Sequence, residues 1–306
     1  MSIIFFGTPE FAVPSLKALI RSGETISLAV TQSDKVKGRG HKLSPPPVKV
    51  AALEAGLRVA QPGSLRDEMF LRDLSSLSPE FIIVVAYGKI LPKQILELPG
   101  RGCVNVHASL LPKYRGAAPI AWSIIRGEEK TGISTMLMDE GLDTGPVLLQ
   151  QEIDIGADDT AATLGLKLAE AGASLLVETL KGMRDGSVKP RPQTGEATYA
   201  PPLKKEDGLI DWSKSAAEIS SFVRGMYPWP GAYCFIDDER VTLLKTMPLT
   251  GEGKPGALLR LEKDRLIIGT GRGVLAVMEL RPSGKRPMPA SAFILGRRLT
   301  EGTFLR

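Results

Sequence analysis

The sequence predicts an α/β fold, a mostly parallel sheet with helices, followed by a small β-barrel. Short apolar runs alternate with amphipathic stretches through the first two-thirds of the 306 residues, which favours parallel strands joined by helices. A proline-rich segment comes next, and short strands separated by glycine and charged turns follow it. We therefore expect two domains, at residues 1–188 and 208–306, joined by a linker at 189–207.

The first domain begins with a buried strand at residues 2–6. Thr8 is suited to cap the helix that follows, and Pro9 to occupy its first position. The run at 81–86 is rich in β-branched residues and does not alternate, which is typical of a strand buried on both faces. Further strands are predicted at 26–30, 58–60, 103–107 and 133–138, and helices at 48–55, 65–74 and 160–183.

The linker and the second domain have a different character. Residues 189–207 contain four prolines and no helical periodicity, which is typical of a linker. A helix is predicted at 216–224, and strands are predicted at 232–236, 241–245, 257–261, 265–268 and 274–280. Strands this short and this closely spaced favour a small β-barrel.

Composition argues against several classes of protein. The longest apolar run covers seven residues, 81–87, whereas a membrane-spanning helix needs about 20. Cys103 and Cys234 are too few for a disulfide framework, and no cysteine or histidine stands at zinc-ligand spacing. The turn at 7–9 lacks the Gly-x-Gly-x-x-Gly pattern of nicotinamide-binding folds. We therefore expect a cytoplasmic protein with no membrane segment and no metal.

The positive charge is concentrated in the last third of the chain. Residues 1–200 hold 22 Lys and Arg against 22 Asp and Glu, whereas residues 201–306 hold 17 against 12. A basic domain beside a neutral one favours an anionic partner such as nucleic acid. On charge alone, an ordinary domain with a mild basic bias is an equally good interpretation.

A second basic segment lies in the loop at residues 32–43. It holds four Lys and Arg and almost no apolar residue, and it lengthens a strand-to-helix connection that usually takes about 2–6 residues. Its length and glycines suit a segment that contacts RNA. A solvated surface loop is the alternative interpretation.

Two residues suited to acyl transfer lie at the end of the strand predicted at 103–107. Asn105 and His107 are two positions apart, so their side chains face the same way. An amide donor stabilises an oxyanion, and a neighbouring imidazole exchanges or orients a proton. Asp143, in a glycine-rich loop, is a candidate to hold the imidazole, although spacing alone leaves open whether it reaches. A hydrogen-bonded core histidine is the alternative interpretation of His107.

Several motifs resemble those of the folate-dependent formyltransferases. Asn-Val-His-Ala-Ser-Leu-Leu-Pro at 105–112 is followed by Arg-Gly-Ala-Ala-Pro-Ile at 115–120, and the segment from Gly132 through 145 resembles that superfamily's active-site signature. Phe-Gly-Thr-Pro-Glu-Phe at 6–11 and Trp-Pro-Gly at 229–231 narrow the resemblance to the methionyl-tRNA formyltransferase family. The resemblance covers essentially the whole chain.

This resemblance implies a Rossmann-like catalytic domain and an OB-like C-terminal domain that binds tRNA. The expected reaction moves the formyl group of 10-formyltetrahydrofolate to the amino group of methionyl-initiator tRNA, in a monomer that uses no metal. The catalytic trio falls on Asn105, His107 and Asp143. The folate-binding positions fall on Ser109, Leu110, Leu111, Pro112, Val85, Tyr87, Asp139 and Leu142. The tRNA contacts are expected at Arg39, Lys37, Lys42, Lys204 and Lys205.

Two other functions are weighed against this one. A formyltransferase that acts on a nucleotide or sugar-nucleotide amine shares the Asn-x-His and Asp elements, so the trio does not discriminate. The basic C-terminal domain does, because a nucleotide substrate needs no such extended surface. A non-catalytic tRNA-binding protein is the second alternative, and the intact trio argues against it.

Overall fold

The computed structural model describes residues 2–37, 42–297 and 299–306. The chain forms two compact units, each assembled from several segments. The first unit comprises Met1–Pro119, Thr131–Asp154 and Gly165–Ala200, and the second comprises Ile120–Lys130, Ile155–Leu164 and Pro201–Arg306. The domain boundaries expected above, at 188 and 208, stay a prediction.

The first unit is built on a seven-stranded sheet. The strands up to Ala200 are β1 (Ile3–Gly7), β2 (Ile26–Val30), β3 (Lys35–Lys37), β4 (Lys42–Ser44), β5 (Val59–Ala60), β6 (Phe81–Val85), β7 (Cys103–His107), β8 (Arg115–Gly116), β9 (Lys130–Leu137), β10 (Val147–Asp154) and β11 (Tyr199–Ala200). The sheet has the order β10-β9-β7-β6-β1-β2-β5. Its strands from β7 to β5 are parallel, whereas β7 and β9 are antiparallel. The predicted mostly parallel sheet is confirmed.

The central strands owe their position to their sequences. Every residue of β1, β6 and β7 is buried. This is expected for β1 and β6, which are apolar runs that do not alternate, whereas β7 also buries the polar residues Asn105 and His107. The helices up to residue 185 are α1 (Val13–Arg21), α2 (Pro47–Glu54), α3 (Glu68–Ser76), α4 (Lys93–Leu96), α5 (Pro119–Ile125) and α6 (Ala161–Asp185). Leu74 of α3 and Ile95 of α4 join a core that also contains Ile4, Phe6 and Ile82 of the strands. The carboxyl ends of the parallel strands lie on one edge of the sheet.

The first helix begins later than the sequence predicts. Glu10–Ala12 form a short 3-10 helix, and α1 starts at Val13. Thr8 does not cap the helix, because its hydroxyl donates to the carbonyl oxygen of Tyr87 at 3.1 Å. The expectation that Thr8 is the N-cap and Pro9 the first helical residue is therefore wrong.

The second unit contains a curled antiparallel half-barrel. Its strands are β12 (Tyr233–Ile236), β13 (Glu239–Leu249), β14 (Leu258–Leu261), β15 (Leu266–Gly269), β16 (Val274–Pro282) and β17 (Met288–Pro289), and its further helices are α7 (Ala216–Gly225) and α8 (Ala290–Leu295). A capping box between Ser215 and Glu218 opens α7. Ile219 and Val223 of this helix join the core formed by the strands. The prediction of a small β-barrel in the C-terminal part of the chain is confirmed as this half-barrel.

Each unit buries one cysteine. Cys103 lies in β7 of the first unit and Cys234 in β12 of the second, and both are buried. Burial disfavours the thiolate, so it raises the pKa of each thiol to about 12. Both thiols are therefore protonated and unreactive in the folded protein.

Candidate active site

The carboxyl end of β7 carries Asn105 and His107. Both side chains are buried, and the two residues pair with Met136 and Ser134 of the neighbouring strand β9. Because β7 is held by β6 on one side and β9 on the other, sheet register fixes where the amide and the imidazole stand. Residues two apart along a strand share a face, so the two groups lie side by side.

Asp143 reaches both of these side chains. It lies in the loop between β9 and β10, with a left-handed backbone conformation (φ 51°). Its Oδ1 atom is 3.5 Å from Asn105 Nδ2, and its Oδ2 atom is 3.7 Å from His107 Nδ1. The backbone N–H of Gly116 donates to Oδ2 at 2.8 Å. The three side chains that the sequence singles out thus meet at one edge of the sheet.

A backbone carbonyl orients the imidazole. Nε2 of His107 lies 2.9 Å from the carbonyl oxygen of Tyr114. A carbonyl only accepts hydrogen bonds, so Nε2 carries the proton in this contact. Nδ1 is then the ring nitrogen that faces Asp143, at a distance suited to an ion pair but longer than a hydrogen bond.

Residues outside the predicted trio hold it in place. Gln193 donates from Nε2 to the carbonyl oxygens of Asp143 and Gly145, at 2.8 Å each. Arg115 donates in turn to Gln193 Oε1. Sequence reasoning missed Gln193, which falls in the segment predicted as the linker, and it missed Tyr114, which acts through its backbone. The segment 189–207 contains many other polar residues, so its sequence does not single out Gln193.

The loop at 109–112, where folate contacts are expected, is fixed by hydrogen bonds to β9 and β10. Ser134 Oγ donates to the Ser109 carbonyl oxygen at 2.6 Å and accepts from the Leu111 N–H at 3.1 Å. Gln150 Nε2 donates to the Leu111 carbonyl oxygen at 3.0 Å. Ser109 and Leu111 are buried, whereas Leu110 and Pro112 are partly exposed. The loop is therefore rigid and offers chiefly Leu110, Pro112 and backbone atoms to a ligand.

The other expected folate residues lie in two segments of the first unit. Val85 and Tyr87 are buried, so that only their backbone atoms are available, and burial raises the pKa of Tyr87 to about 12. Asp139 is exposed, and its carboxylate accepts from the Gly141 N–H and from the Thr144 hydroxyl. Leu142 is 59% exposed. An open cleft of about 500 Å³ lies beside this loop, lined by residues that include Lys93, Leu96, Met138 and Asp139.

The expected tRNA contacts fall in separate parts of the chain. Lys37 ends β3 and Lys42 begins β4, and these strands form an antiparallel hairpin. Arg39 lies outside the described residues. Lys204 and Lys205 are exposed residues of the second unit.

Neither a metal centre nor a membrane span is evident in the described part of the chain. Among residues 2–37, 42–297 and 299–306, no group of three or more metal-ligating side chains comes together. No helix in these ranges is long and apolar enough to cross a bilayer.

Comparison with known families covers nearly the whole chain. Residues 1–180 match the family described as formyl transferase, and residues 202–298 match the formyl transferase C-terminal domain. A curated methionyl-tRNA formyltransferase of Thermodesulfovibrio yellowstonii is 58% identical over 300 residues, which is 98% of this chain and 97% of the relative.

Solved structures show the fold at low sequence identity. An N-formyltransferase from Helicobacter canadensis, solved with folinic acid and dTDP-3-aminofucose, has a TM-score of 0.66 at 16% identity and covers 90% of this chain and 98% of its own. A methionyl-tRNA formyltransferase from Clostridium thermocellum has a TM-score of 0.56 at 20% identity, and the match covers 81% of this chain and 93% of that structure's chain. Because enzymes with different acceptors share the fold, the fold alone does not identify the acceptor.

Proposed function

The chain belongs to the methionyl-tRNA formyltransferases of the formyl transferase family, and from this premise we propose how its residues carry out the reaction. The protein transfers the formyl group of 10-formyltetrahydrofolate to the amino group of methionyl-tRNA, a step of translation initiation. The observation that carries this function is the 58% identity to a curated methionyl-tRNA formyltransferase over 98% of the chain. A sugar-nucleotide acceptor is not favoured, because its support is limited to structures below 25% identity.

We assign Asn105 to the oxyanion. The methionyl amine attacks the formyl carbon, and negative charge develops on the formyl oxygen. The Asn105 amide has two N–H donors, and one of them points to Asp143 over a long 3.5 Å contact. The other donor is left for the oxyanion, where a preorganised hydrogen bond stabilises the transition state more than the ground state.

We assign the proton transfers to Asp143 and His107. The attacking amine must lose a proton and the leaving N10 must gain one. Asp143, held by the Gly116 N–H at 2.8 Å, accepts the amine proton directly or through water and returns it to N10 as the bond between the formyl carbon and N10 breaks. His107 presents Nδ1 to the same space and, in its protonated form, adds positive charge beside the developing oxyanion.

We assign folate binding to the rigid loop at 109–112, the backbone of Val85 and Tyr87, and the loop that holds Asp139 and Leu142. The exposed Leu142 side chain offers an apolar surface to a ring, and the cleft of about 500 Å³ beside the loop is lined by both charged and apolar side chains. Backbone N–H and C=O groups supply the hydrogen bonds that a pterin ring requires.

We assign tRNA contacts to Lys37, Arg39 and Lys42 in the first unit and to Lys204 and Lys205 in the second. The excess of five positive charges within residues 201–306, 17 basic minus 12 acidic, supports phosphate contacts there. We further propose that the initiator form of the tRNA is preferred and that the enzyme works as a monomer in the cytoplasm.

The test is direct formyl transfer. The purified protein is incubated with 10-formyltetrahydrofolate and methionyl-initiator tRNA, and N-formylmethionine is measured after hydrolysis of the ester. Methionyl-elongator tRNA and an amino-sugar nucleotide serve as competing acceptors. Formylation of the sugar nucleotide in place of methionyl-tRNA would overturn the assignment.

A further inference from the structure

A set of hydrogen-bonded side chains lies at the carboxyl ends of β1, β2, β5 and β6, and its role in the reaction is not covered above. We call it the anchor network; it consists of Thr8, Gln32, Asp34, Lys49 and Gln61. All five residues belong to the first unit. At one end the network contacts the backbone of Tyr87, and at the other it contacts the base of the β3–β4 hairpin.

The first end holds a strained segment of backbone. The Tyr87 carbonyl oxygen accepts from Gln32 Nε2 at 2.7 Å and from Thr8 Oγ1 at 3.1 Å. The residues on either side of Tyr87 are left-handed, Ala86 with φ 47° and Gly88 with φ 79°. Such a conformation is unfavourable for alanine and persists only where neighbours enforce it. A Cβ atom at Gly88 would lie 2.7 Å from Gln32 Nε2, so the glycine also makes room for the amide.

The second end joins the two chain segments that enter and leave the hairpin. Asp34 immediately precedes β3, and Lys49 lies in α2, which follows β4. Lys49 Nζ donates to both carboxylate oxygens of Asp34, at 2.8 and 2.9 Å. The side chains are 23% and 30% exposed, so this ion pair is shielded better than an ordinary surface pair. It therefore closes the base of the hairpin.

Gln61 connects the two ends. Its Nε2 atom donates to the Gln32 carbonyl oxygen at 2.7 Å and to Asp34 Oδ1 at 2.8 Å. One side-chain amide therefore bonds both to the residue that holds Tyr87 and to the residue that holds the hairpin. The hydrogen bonds from Lys49 and Gln61 also hold the pKa of Asp34 below its usual value.

We propose that Asp34 is a positioning residue, which sets the direction of the β3–β4 hairpin relative to the Ala86–Gly88 backbone through Lys49 and Gln61. This inference rests on the proposed function, in which the hairpin contacts tRNA and the Ala86–Gly88 backbone adjoins the folate. The two substrates must meet with the amine in line with the formyl carbon, and a displacement of about 1 Å can cost roughly 10²-fold in rate. Asp34 acts on the rate through this geometry without contacting the reacting atoms.

Asp34→Asn tests the proposal because it keeps the shape of the side chain and removes the charge that pairs with Lys49. Single-turnover formylation of methionyl-tRNA is expected to slow about tenfold, as expected for a fraction of an ångström of misplacement. The KM for 10-formyltetrahydrofolate is expected to stay within about twofold, because Gln32 and Thr8 still hold Tyr87. The double variant Asp34→Lys with Lys49→Asp, which reverses the two charges of the ion pair, is expected to recover part of the rate that Asp34→Asn loses.

The matched control is Asp73→Asn, which removes the Arg58–Asp73 ion pair elsewhere in the same unit and is expected to leave the rate unchanged. Hydrogen exchange of the amides at 35–37 and at 44, 48 and 49 gives a readout that does not depend on activity, and it is expected to accelerate only in Asp34→Asn. A wild-type rate in Asp34→Asn, an equal loss in Asp73→Asn, or unchanged exchange would each overturn the inference. An inactive wild-type protein would instead overturn the proposed function, and the exchange comparison would still decide the role of Asp34.

Discussion

The imidazole Nε2 of His107 lies 2.9 Å from the carbonyl oxygen of Tyr114, and this contact determines which ring nitrogen is left for chemistry. Nε2 must be protonated to make it, so Nδ1 faces Asp143 at 3.7 Å. The orientation of the ring therefore does not depend on the carboxylate alone. Asp143 is correspondingly available to accept a proton from the substrate amine.

Asn105→Ala is expected to lower kcat by about 10²–10³, the usual loss for one oxyanion donor. The KM values are expected to change little, because the oxyanion exists only on the way to product. Asn105→Asp serves as a matched variant that keeps the size of the side chain but removes the donor. Steady-state kinetics with circular dichroism checks both variants, and turnover near that of wild type in either one would remove Asn105 from the catalytic trio.

Asp143→Asn is expected to lower kcat by about 10²–10⁴, since it removes a general base but keeps an oxygen for the Gly116 N–H. Because the loop contacts through Gln193 use the backbone of Asp143, thermal stability is expected to be nearly unchanged. Rapid-quench measurement of a single turnover separates the chemical step from product release. An unchanged rate constant for that step would contradict the proposed role.

Arg39→Ala is expected to damage the rate on methionyl-initiator tRNA strongly while it changes tRNA affinity less, because misplacement of the amine is costly in rate. Lys263→Ala, at an exposed position of the second unit, is expected to weaken tRNA binding modestly. Log affinity is expected to fall linearly with log salt, since neutralised phosphates release counterions. Filter binding and single-turnover formylation are compared for both variants; small and equal effects on both quantities would assign the basic loop to solvated surface.

Arg184→Met is expected to destabilise the first unit by about 1.5–3 kcal/mol, the usual value of hydrogen bonds to charged groups, because Glu80 keeps its ion pair with Arg101 at 3.1 Å. Arg184 donates to Glu24 at 2.6 and 2.8 Å and to Glu80 at 2.8 and 3.1 Å, and Glu80 is buried. Arg72→Met, which breaks the exposed pair with Glu68, is the matched control and is expected to cost less than about 1 kcal/mol. Urea denaturation measures both, and equal losses would show that burial of the pair is unimportant.

Glu80 gives this cluster a pH dependence. Hydrogen bonds from Arg184 hold its pKa below the ordinary value of 4.5. A lowered carboxyl pKa contributes stability that is fully present above the unfolded value and is lost as the pH falls through the folded value. Glu80→Gln is therefore expected to reduce the loss of stability below about pH 4.5. Calorimetry at pH 7 and at pH 3.5 to 4.5 measures how steeply stability falls with pH. The slope for Glu80→Gln should be smaller than that of wild type, and equal slopes would contradict the prediction.

The sequence specified the strands better where burial is complete than where it is one-sided. The predicted bounds of β2 and β7 agree with the structure, and four of the five residues of β2 and all five of β7 are buried. The strand Val147–Asp154 was missed, because only its first two residues are buried and the others are partly or fully exposed. The helix Ala290–Leu295 was missed because prolines at 287 and 289 indicate a turn.

The site was predictable to the extent that it depends on side-chain type. A period of two placed Asn105 and His107 together, and the loop carboxylate Asp143 does lie beside them. The contacts from the Tyr114 carbonyl and the Gly116 N–H were not predictable, because backbone groups occur at every residue. Their usefulness arises only when a tertiary fold brings them to the site.

Because each unit buries one cysteine, the reactivity of that thiol can be used to measure local unfolding of the unit. A thiol whose pKa is raised to about 12 reacts only when its surroundings separate. The labelling rate of Cys103 with a disulfide reagent therefore measures how often the first unit exposes β7, and that of Cys234 measures the same for the second unit. With Cys234→Ala and Cys103→Ala variants, each rate can be followed alone while folate or tRNA is added. Folate is expected to slow labelling at Cys103, two residues before Asn105, and to leave Cys234 unaffected.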